Sequence, residues 1–164
     1  MTQTAPHVLL VDSVTDEREM YALALSKEGF VPVQASDSAW AFDYATVTPP
    51  ALIVTDAVLE PDDGLTFARR LRRTAATREI PIIVLSGRVV NLDKSTKEAH
   101  EAGADLLLLK PCAPTDLVAR ARTLIARSSH LVERADAAIA KATRLCEKAA
   151  DRLRKVEEEF KRLD

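Results

Sequence analysis

Residues 52–56, Leu52-Ile53-Val54-Thr55-Asp56, form an apolar run of strand length that ends in a single carboxylate. Pro49-Pro50 precedes this run, and a turn-forming segment that ends at Gly64 follows it. An apolar run bounded in this way is typical of a central strand in a parallel sheet. In open α/β sheets the functional crevice lies beyond the carboxyl ends of such strands. The sequence therefore predicts that Asp56 lies in a functional site.

Further short apolar runs alternate with helical patterns on both sides of this stretch. Parallel neighbours need a crossover connection, so this alternation predicts an α/β fold with a doubly wound, five-stranded parallel sheet. Pro32 cannot donate a ladder hydrogen bond, which places its strand at an edge of the sheet. The other predicted strands are residues 8–11, 30–33, 81–85 and 106–109, and the predicted helices are residues 15–28, a segment capped by Ser36 or Asp37, and residues 65–73 and 94–102.

Two helix faces are predicted from the spacing of apolar residues. On the first helix, Met20, Leu23 and Ala24 are expected to face the core. On the third helix the arginines of residues 69–73 are expected to face outward. Because they lack neighbouring aromatic residues, we interpret them as a solvated face and predict no nucleic-acid contact.

Composition sets the class of protein. The chain has 164 residues, of which 47% are hydrophobic, enough for one domain with an extension. Its apolar runs are of strand length and its start has no signal-like core, which predicts a cytoplasmic protein without a membrane segment. Residues 1–126 carry 13 Lys and Arg against 17 Asp and Glu (net −4), and residues 127–164 carry 10 against 8 (net +2). Neither part has the strongly basic balance of a nucleic-acid binder.

Four of the five predicted strands end in a polar group: Asp12, Asp56, Ser86 and Lys110. Two carboxylates at neighbouring strand ends are suitable oxygen ligands for Mg²⁺. The lysine adds a positive charge and the serine adds a hydroxyl donor. Together these groups suit a phosphoryl group carried on Asp56, with the carboxylate as nucleophile and the cations balancing the charge of the transferred oxygens.

These residues resemble the receiver domain of bacterial two-component response regulators over residues 7 to 126. The family fold is a flavodoxin-like sheet, and its aspartate after the third strand accepts phosphate from the phosphohistidine of a histidine kinase or phosphotransfer protein. The resemblance implies that Asp56 is the acceptor, that Ser86 and Lys110 act on the phosphoryl group, and that Asp12, Asp56 and the Val58 carbonyl hold Mg²⁺. The matching motifs are Val11-Asp12, residues 56–64 and 81–87, Gly103-Ala104-Asp105 and Lys110-Pro111.

Several positions depart from the family pattern. Ser13 stands where a second acid is usual, which predicts weaker Mg²⁺ binding, and whether Asp16 reaches the metal is left open. Leu107 replaces the usual aromatic residue of the fifth strand, so an altered output face is expected. These departures motivate an alternative, a pseudo-receiver that acts as a coiled-coil scaffold without phosphorylation. An aspartyl-nucleophile phosphatase is a weaker alternative because Val58 occupies the position of its general acid. The leading prediction is a phosphoacceptor with at most self-catalysed transfer, not an enzyme.

The C-terminal segment, residues 127–164, is predicted as an amphipathic helical extension of the fifth helix. No glycine or proline occurs after Thr115, so the helix is expected to continue. The apolar seam predicts pairing with a second copy or with another protein's helix, and the alternative is a helix folded back on its own domain. The chain is expected to act through this helix or to have lost a downstream domain. The seam residues, with a stutter after Ala149, are Leu131, Ala135, Ala138, Ala142, Leu145, Ala149, Leu153, Val156, Phe160 and Leu163.

Overall fold

A computed structural model describes residues 4–89 and 91–162 of the chain. The chain divides into two compact units, Met1–Ala126 and Arg127–Asp164. Strands and helices alternate along the chain. Their bounds are β1 His7–Val11, α1 Thr15–Lys27, β2 Val31–Ala35, α2 Ser38–Val47, β3 Leu52–Asp56, α3 Gly64–Arg73, β4 Ile82–Ser86, α4 Leu92–Glu101, β5 Leu106–Leu109 and α5 Pro114–Lys161.

The five strands form one parallel sheet in the order β2-β1-β3-β4-β5. All five residues of β3 are buried, as expected for a central strand, and β2 with Pro32 lies at an edge. The predicted fold class is therefore confirmed. The chain runs outward from β1 to β2 and then returns to β3 on the other side of β1. This reversal creates a crevice at the carboxyl ends of β1 and β3, which is where ligands bind in doubly wound sheets.

Each face of the sheet packs against its own set of helices. On one face, α2, α3 and α4 contribute apolar residues such as Ala45, Phe67 and Ala99. On the other face, α1 and the start of α5 contribute residues such as Leu25 and Leu117. Alternate residues of the buried strands point to the two faces, so a nearly continuous apolar strand serves both cores.

The predicted inward face of α1 is wrong for Met20 and Leu23, whereas Ala24 is half-buried and packs against the core as predicted. Met20 is 42% exposed and Leu23 is 58% exposed, whereas Tyr21, Ala22 and Leu25 are buried. This helix carries two apolar stripes, and helical periodicity alone does not say which of them faces the sheet. Tertiary packing selects the stripe that contains the larger Tyr21 ring.

The predicted lack of aromatic neighbours is wrong at Arg70, whose guanidinium lies over the Phe42 ring at 3.7 Å, and Arg72 departs from the predicted solvated face. The Arg72 guanidinium donates to the backbone carbonyls of Gly103, Arg78 and Ile80 and forms an ion pair with Asp105. Its side chain is 25% exposed. Arg72 therefore ties α3 to the segments before β4 and β5.

Helix α5 is continuous through Ser128-Ser129, as expected from the absence of glycine and proline after Thr115. In the unit that contains residues 127–164, the seam residues Leu131, Leu145 and Leu153 are exposed. The predicted seam residue Leu163 lies outside the described residues, and so does the side chain of Phe160. Across the described part of the chain, no helix is both long enough and apolar enough to span a bilayer.

Candidate functional site at the ends of the parallel strands

Asp12 and Asp56 are brought together by the register of β1 and β3. Val11 pairs with Thr55, so the residues that follow each of them leave the sheet side by side. Both carboxylate residues are buried, with Asp12 4% and Asp56 7% exposed. The Asp12 carboxylate also accepts the N–H of Val14 at 2.8 Å, which fixes its orientation at the start of α1. Two buried carboxylates need a cation nearby, because burial of unpaired charge is costly.

Lys110 supplies that cation. It follows β5, yet its side chain reaches across the strand ends, with Nζ 2.9 Å from the Asp12 carboxylate and 3.2 Å from the Asp56 carboxylate. Its backbone N–H donates to the Ser86 carbonyl at 2.9 Å, which anchors the turn after β5. The structure therefore brings together three of the residues that the sequence singled out.

A third carboxylate, which sequence analysis missed, completes the group. Glu17 lies in the first turn of α1, and its Oε2 is 2.5 Å from Lys110 Nζ. Asp16, which the sequence left open as a compensating acid, is exposed instead. The sequence held one signal for Glu17, which lies four residues after Ser13, about one helical turn. Ser13 precedes the helix, however, so this spacing alone could not distinguish Glu17 from its neighbour Asp16.

Burial and charge act in opposite directions at these groups. Burial raises the pKa of the Asp56 carboxyl, and Lys110 offsets part of this rise through its charge and hydrogen bond. For Lys110, burial lowers the pKa, but the hydrogen bonds to Glu17 and Asp12 and the charges of Asp12 and Asp56 outweigh burial and raise it above its usual value. The contacts with carboxylates therefore favour the charged form of Lys110, whereas burial makes the ionised form of Asp56 depend on nearby positive charge.

Ser86 and Val58 lie beside this group rather than within it. Asp56 pairs with Leu85 of β4, which places Ser86 one residue further along the neighbouring strand. The Ser86 hydroxyl donates to the Arg88 carbonyl at 3.3 Å, and among the described contacts it makes no hydrogen bond to Asp56. Ser86, Val58 and Leu107 line one pocket of about 350 Å³. The aliphatic Leu107 thus occupies part of the pocket wall near Ser86.

The loop between β3 and α3 is held at both ends. Asp63 caps α3 by accepting the N–H groups of Leu65 and Thr66, each at 2.9 Å. Burial works against its ionised form, but the hydrogen bonds from Thr66 and Leu65 prevail and lower the pKa of Asp63. The N–H of Gly64 donates to the Ala57 carbonyl at 3.0 Å, which brings the helix start directly against the end of β3. Val58 is therefore carried on a short, anchored loop.

The oxygen atoms available at the strand ends suit Mg²⁺, although the protein offers only a few ligands. In the ranges that the structure describes, no group of three or more acidic, histidine or cysteine side chains is arranged to hold a metal ion. Asp12 and Asp56 offer two buried carboxylates, and the loop after Asp56 offers backbone carbonyls. Mg²⁺ commonly uses one or two carboxylates and keeps several waters, so this set is sufficient in kind.

Comparison with known proteins identifies the family. The family model for the response regulator receiver domain matches residues 8–122. The chain therefore belongs to the response regulator receiver domains of two-component systems, which are signalling domains rather than classical enzymes.

The chain is similar to two curated regulators of about twice its matched length. It is 36% identical over 125 residues to the phosphate regulon transcriptional regulatory protein PhoB of Klebsiella pneumoniae, covering 76% of this chain and 54% of PhoB. It is 37% identical over 135 residues to the alkaline phosphatase synthesis transcriptional regulatory protein SphR of Synechococcus elongatus, covering 77% and 51%. The chain thus spans about half the length of these relatives.

Among solved structures, a putative response regulator from Chloroflexus aurantiacus superimposes with a TM-score of 0.70 at 28% identity, covering 74% of this chain and 98% of that one. The similarity therefore extends across nearly the whole of a known receiver-fold structure.

Proposed function

We propose that this receiver accepts a phosphoryl group on Asp56 from a histidine kinase or phosphotransfer protein, with Mg²⁺ held by Asp12, Asp56 and the Val58 carbonyl. The observation that carries the proposal is the buried Asp12–Lys110–Asp56 group at the topological switch of the sheet. The cytoplasmic location predicted from the sequence is part of this proposal.

The residues take distinct roles in the transfer. An Asp56 carboxylate oxygen attacks phosphorus, the phosphorus–nitrogen bond of the donor phosphohistidine breaks, and its electron pair stays on the imidazole nitrogen. Lys110 is held in place to neutralise a phosphoryl oxygen. The Ser86 hydroxyl exchanges its bond with the Arg88 carbonyl for one to another phosphoryl oxygen. When bound, Mg²⁺ supplies charge neutralisation for the transferring oxygens.

Incubation of the full chain with acetyl phosphate and Mg²⁺ is expected to add the mass of one phosphoryl group. The gain is expected to be lost completely in Asp56→Asn, which keeps the shape of the side chain but removes the nucleophilic carboxylate. Chelation of the metal is expected to have a similar effect. Intact-mass spectrometry measures all three results, and far-ultraviolet circular dichroism checks that the variant is folded. A mass gain that persists in Asp56→Asn would place the phosphoryl group elsewhere.

The comparisons do not support the pseudo-receiver alternative, which predicts that Asp56→Asn changes nothing in partner binding. They also indicate no enzymatic family, which leaves the phosphatase alternative without support.

Residues 127–164 are proposed to carry the output by pairing with a second copy or with another protein's helix. The support is a continuous helix whose apolar stripe is exposed at Leu131, Leu145 and Leu153. A helix with one exposed apolar stripe gains stability by burying it against another helix.

Ala142→Glu is expected to dissociate the pair, because it introduces a charge into the seam at a position that is exposed in the single chain. Ala140→Glu is the matched control: it makes an identical change two residues away, outside the stripe. Light scattering at rising concentration should show self-association of the wild type and of Ala140→Glu, with Ala142→Glu remaining monomeric. A monomeric wild-type chain would contradict pairing with a second copy.

A further inference from the structure

Glu17 is the group at the strand ends that neither the sequence motifs nor the family match assigns. Its carboxylate shares the Lys110 ammonium with Asp12 and Asp56, and its side chain is 39% exposed. It approaches from α1, whereas the two aspartates approach from the sheet. The Lys110 ammonium therefore forms ion pairs on two sides, with Asp56 at the end of the sheet and with Glu17 on α1.

Asp12, Asp56, Glu17 and Lys110 form a strand-end pocket, and the net charge of this pocket depends on Glu17. Asp12, Asp56 and Glu17 bring three negative charges, and Lys110 brings one positive charge. Arg18 adds a second positive charge, since its Nη1 donates to the Asp12 carbonyl at 2.6 Å. The sum is −1 with Glu17 and zero without it. A divalent cation is attracted to a net negative pocket and much less to a neutral one.

Neighbouring residues do not replace this charge. Ser13, directly after Asp12, is exposed and uncharged. Asp16 and Glu19 are exposed, and the described ion pairs of Lys110 are with Asp12, Glu17 and Asp56. The compensating acid of this pocket thus lies on the helix rather than at the strand end.

We propose that Glu17 is a positioning residue that sets the affinity of the pocket for a divalent cation, an inference that rests on the Mg²⁺-dependent function proposed above. Glu17 acts in two ways, and both strengthen the binding of the cation. Its charge makes the pocket negative. Its ion pair with Lys110 also weakens the pairing of the ammonium with Asp12 and Asp56, so these carboxylates are more available to a metal ion. Loss of the Glu17 charge leaves Lys110 paired only with the two carboxylates that Mg²⁺ requires, so both effects weaken cation binding.

The test compares Glu17→Gln with Asp16→Asn in the full chain. Isothermal titration with Mg²⁺, repeated with Mn²⁺, is expected to show about tenfold weaker binding in Glu17→Gln, the size expected for loss of one partly exposed charge beside the site. Asp16→Asn removes the same charge from the preceding residue and is expected to bind as the wild type does. Glu17→Asp, which keeps the charge on a shorter side chain, is expected to recover part of the affinity.

Phosphorylation by acetyl phosphate gives a second measurement. In Glu17→Gln the Mg²⁺ concentration for half-maximal rate is expected to rise about tenfold, while the rate at saturating Mg²⁺ stays within roughly twofold of the wild type. A residue with only a structural role would lower both.

Two results would overturn the inference and leave the proposed function standing. Equal Mg²⁺ affinity in Glu17→Gln and the wild type would show that the charge does not act on the site, and equal losses in Glu17→Gln and Asp16→Asn would show a general charge effect. Absence of metal binding in the wild type would remove both the inference and the proposed function. Normal metal binding without phosphorylation of Asp56 would remove the proposed function alone.

Discussion

Gly64→Ala is expected to lower the free energy of unfolding of the α/β unit by about 3 kcal/mol, the upper end for an added methyl group in a packed interior. A Cβ at this position would lie 2.1 Å from the Asp56 backbone carbonyl oxygen and 3.0 Å from the Ala57 Cα. Both neighbours are backbone atoms, which cannot rotate away as a side chain does. The end of β3 must therefore shift, and with it the Asp56 carboxylate.

Two measurements check this prediction. Urea unfolding followed by the fluorescence of Trp40, the single tryptophan of the chain, reports on the α/β unit because this residue lies in α2. Phosphorylation of Asp56 by acetyl phosphate in the folded variant reports on the position of the acceptor, and its rate is expected to fall at least tenfold, since a displaced nucleophile loses in-line geometry.

Gly87→Ala is the matched control for Gly64→Ala. An added Cβ there meets nothing closer than the Lys110 Cβ at 4.0 Å, an ordinary contact distance. Its free energy of unfolding is expected to stay within about 0.5 kcal/mol of the wild type. Equal stability of the two variants would contradict the close approach of α3 to the end of β3.

Arg72→Met is expected to cost about 3 kcal/mol in the same unfolding experiment, because it removes several charge-assisted hydrogen bonds that are partly shielded from water. The guanidinium satisfies the carbonyls of Gly103 at 2.8 Å and Ile80 at 2.6 Å. It also pairs with Asp105 at 2.8 Å. Methionine fills a similar volume but leaves these acceptors without their donor.

Two further variants separate the hydrogen bonds from the charge. Arg73→Met changes the next residue of α3, which is exposed, and is expected to alter stability by less than about 0.5 kcal/mol. Arg72→Lys keeps the charge but lacks the planar guanidinium, so its free energy of unfolding is expected to fall by most of the amount expected for Arg72→Met. If Arg72→Met and Arg73→Met unfold at the same urea concentration, the network at Arg72 does not contribute to stability.

Several features of the fold follow directly from local sequence. The buried run that ends at Asp56 predicted the central strand, because apolar strands without alternation are covered on both faces. Pro32 predicted the edge strand, because it lacks a backbone donor. The strand-end pattern singled out Asp12, Asp56 and Lys110 before any contact was known, because parallel strands place their carboxyl ends at one edge of the sheet.

Other features depend on residues far apart in the chain, and only the tertiary structure decided them. The sequence placed Met20 in the core and Arg72 in solvent, yet packing buries Tyr21 and gives Arg72 acceptors from two other segments. Helical periodicity identifies a stripe but not the surface that it meets. Glu17 is the same case at the site, since its partner Lys110 is 93 residues away and the choice between Glu17 and Asp16 rests on how α1 is rotated against the sheet. Sequence alone thus determined the fold and the chemistry of the strand ends, whereas helix rotation and long-range polar contacts decided which neighbours complete them.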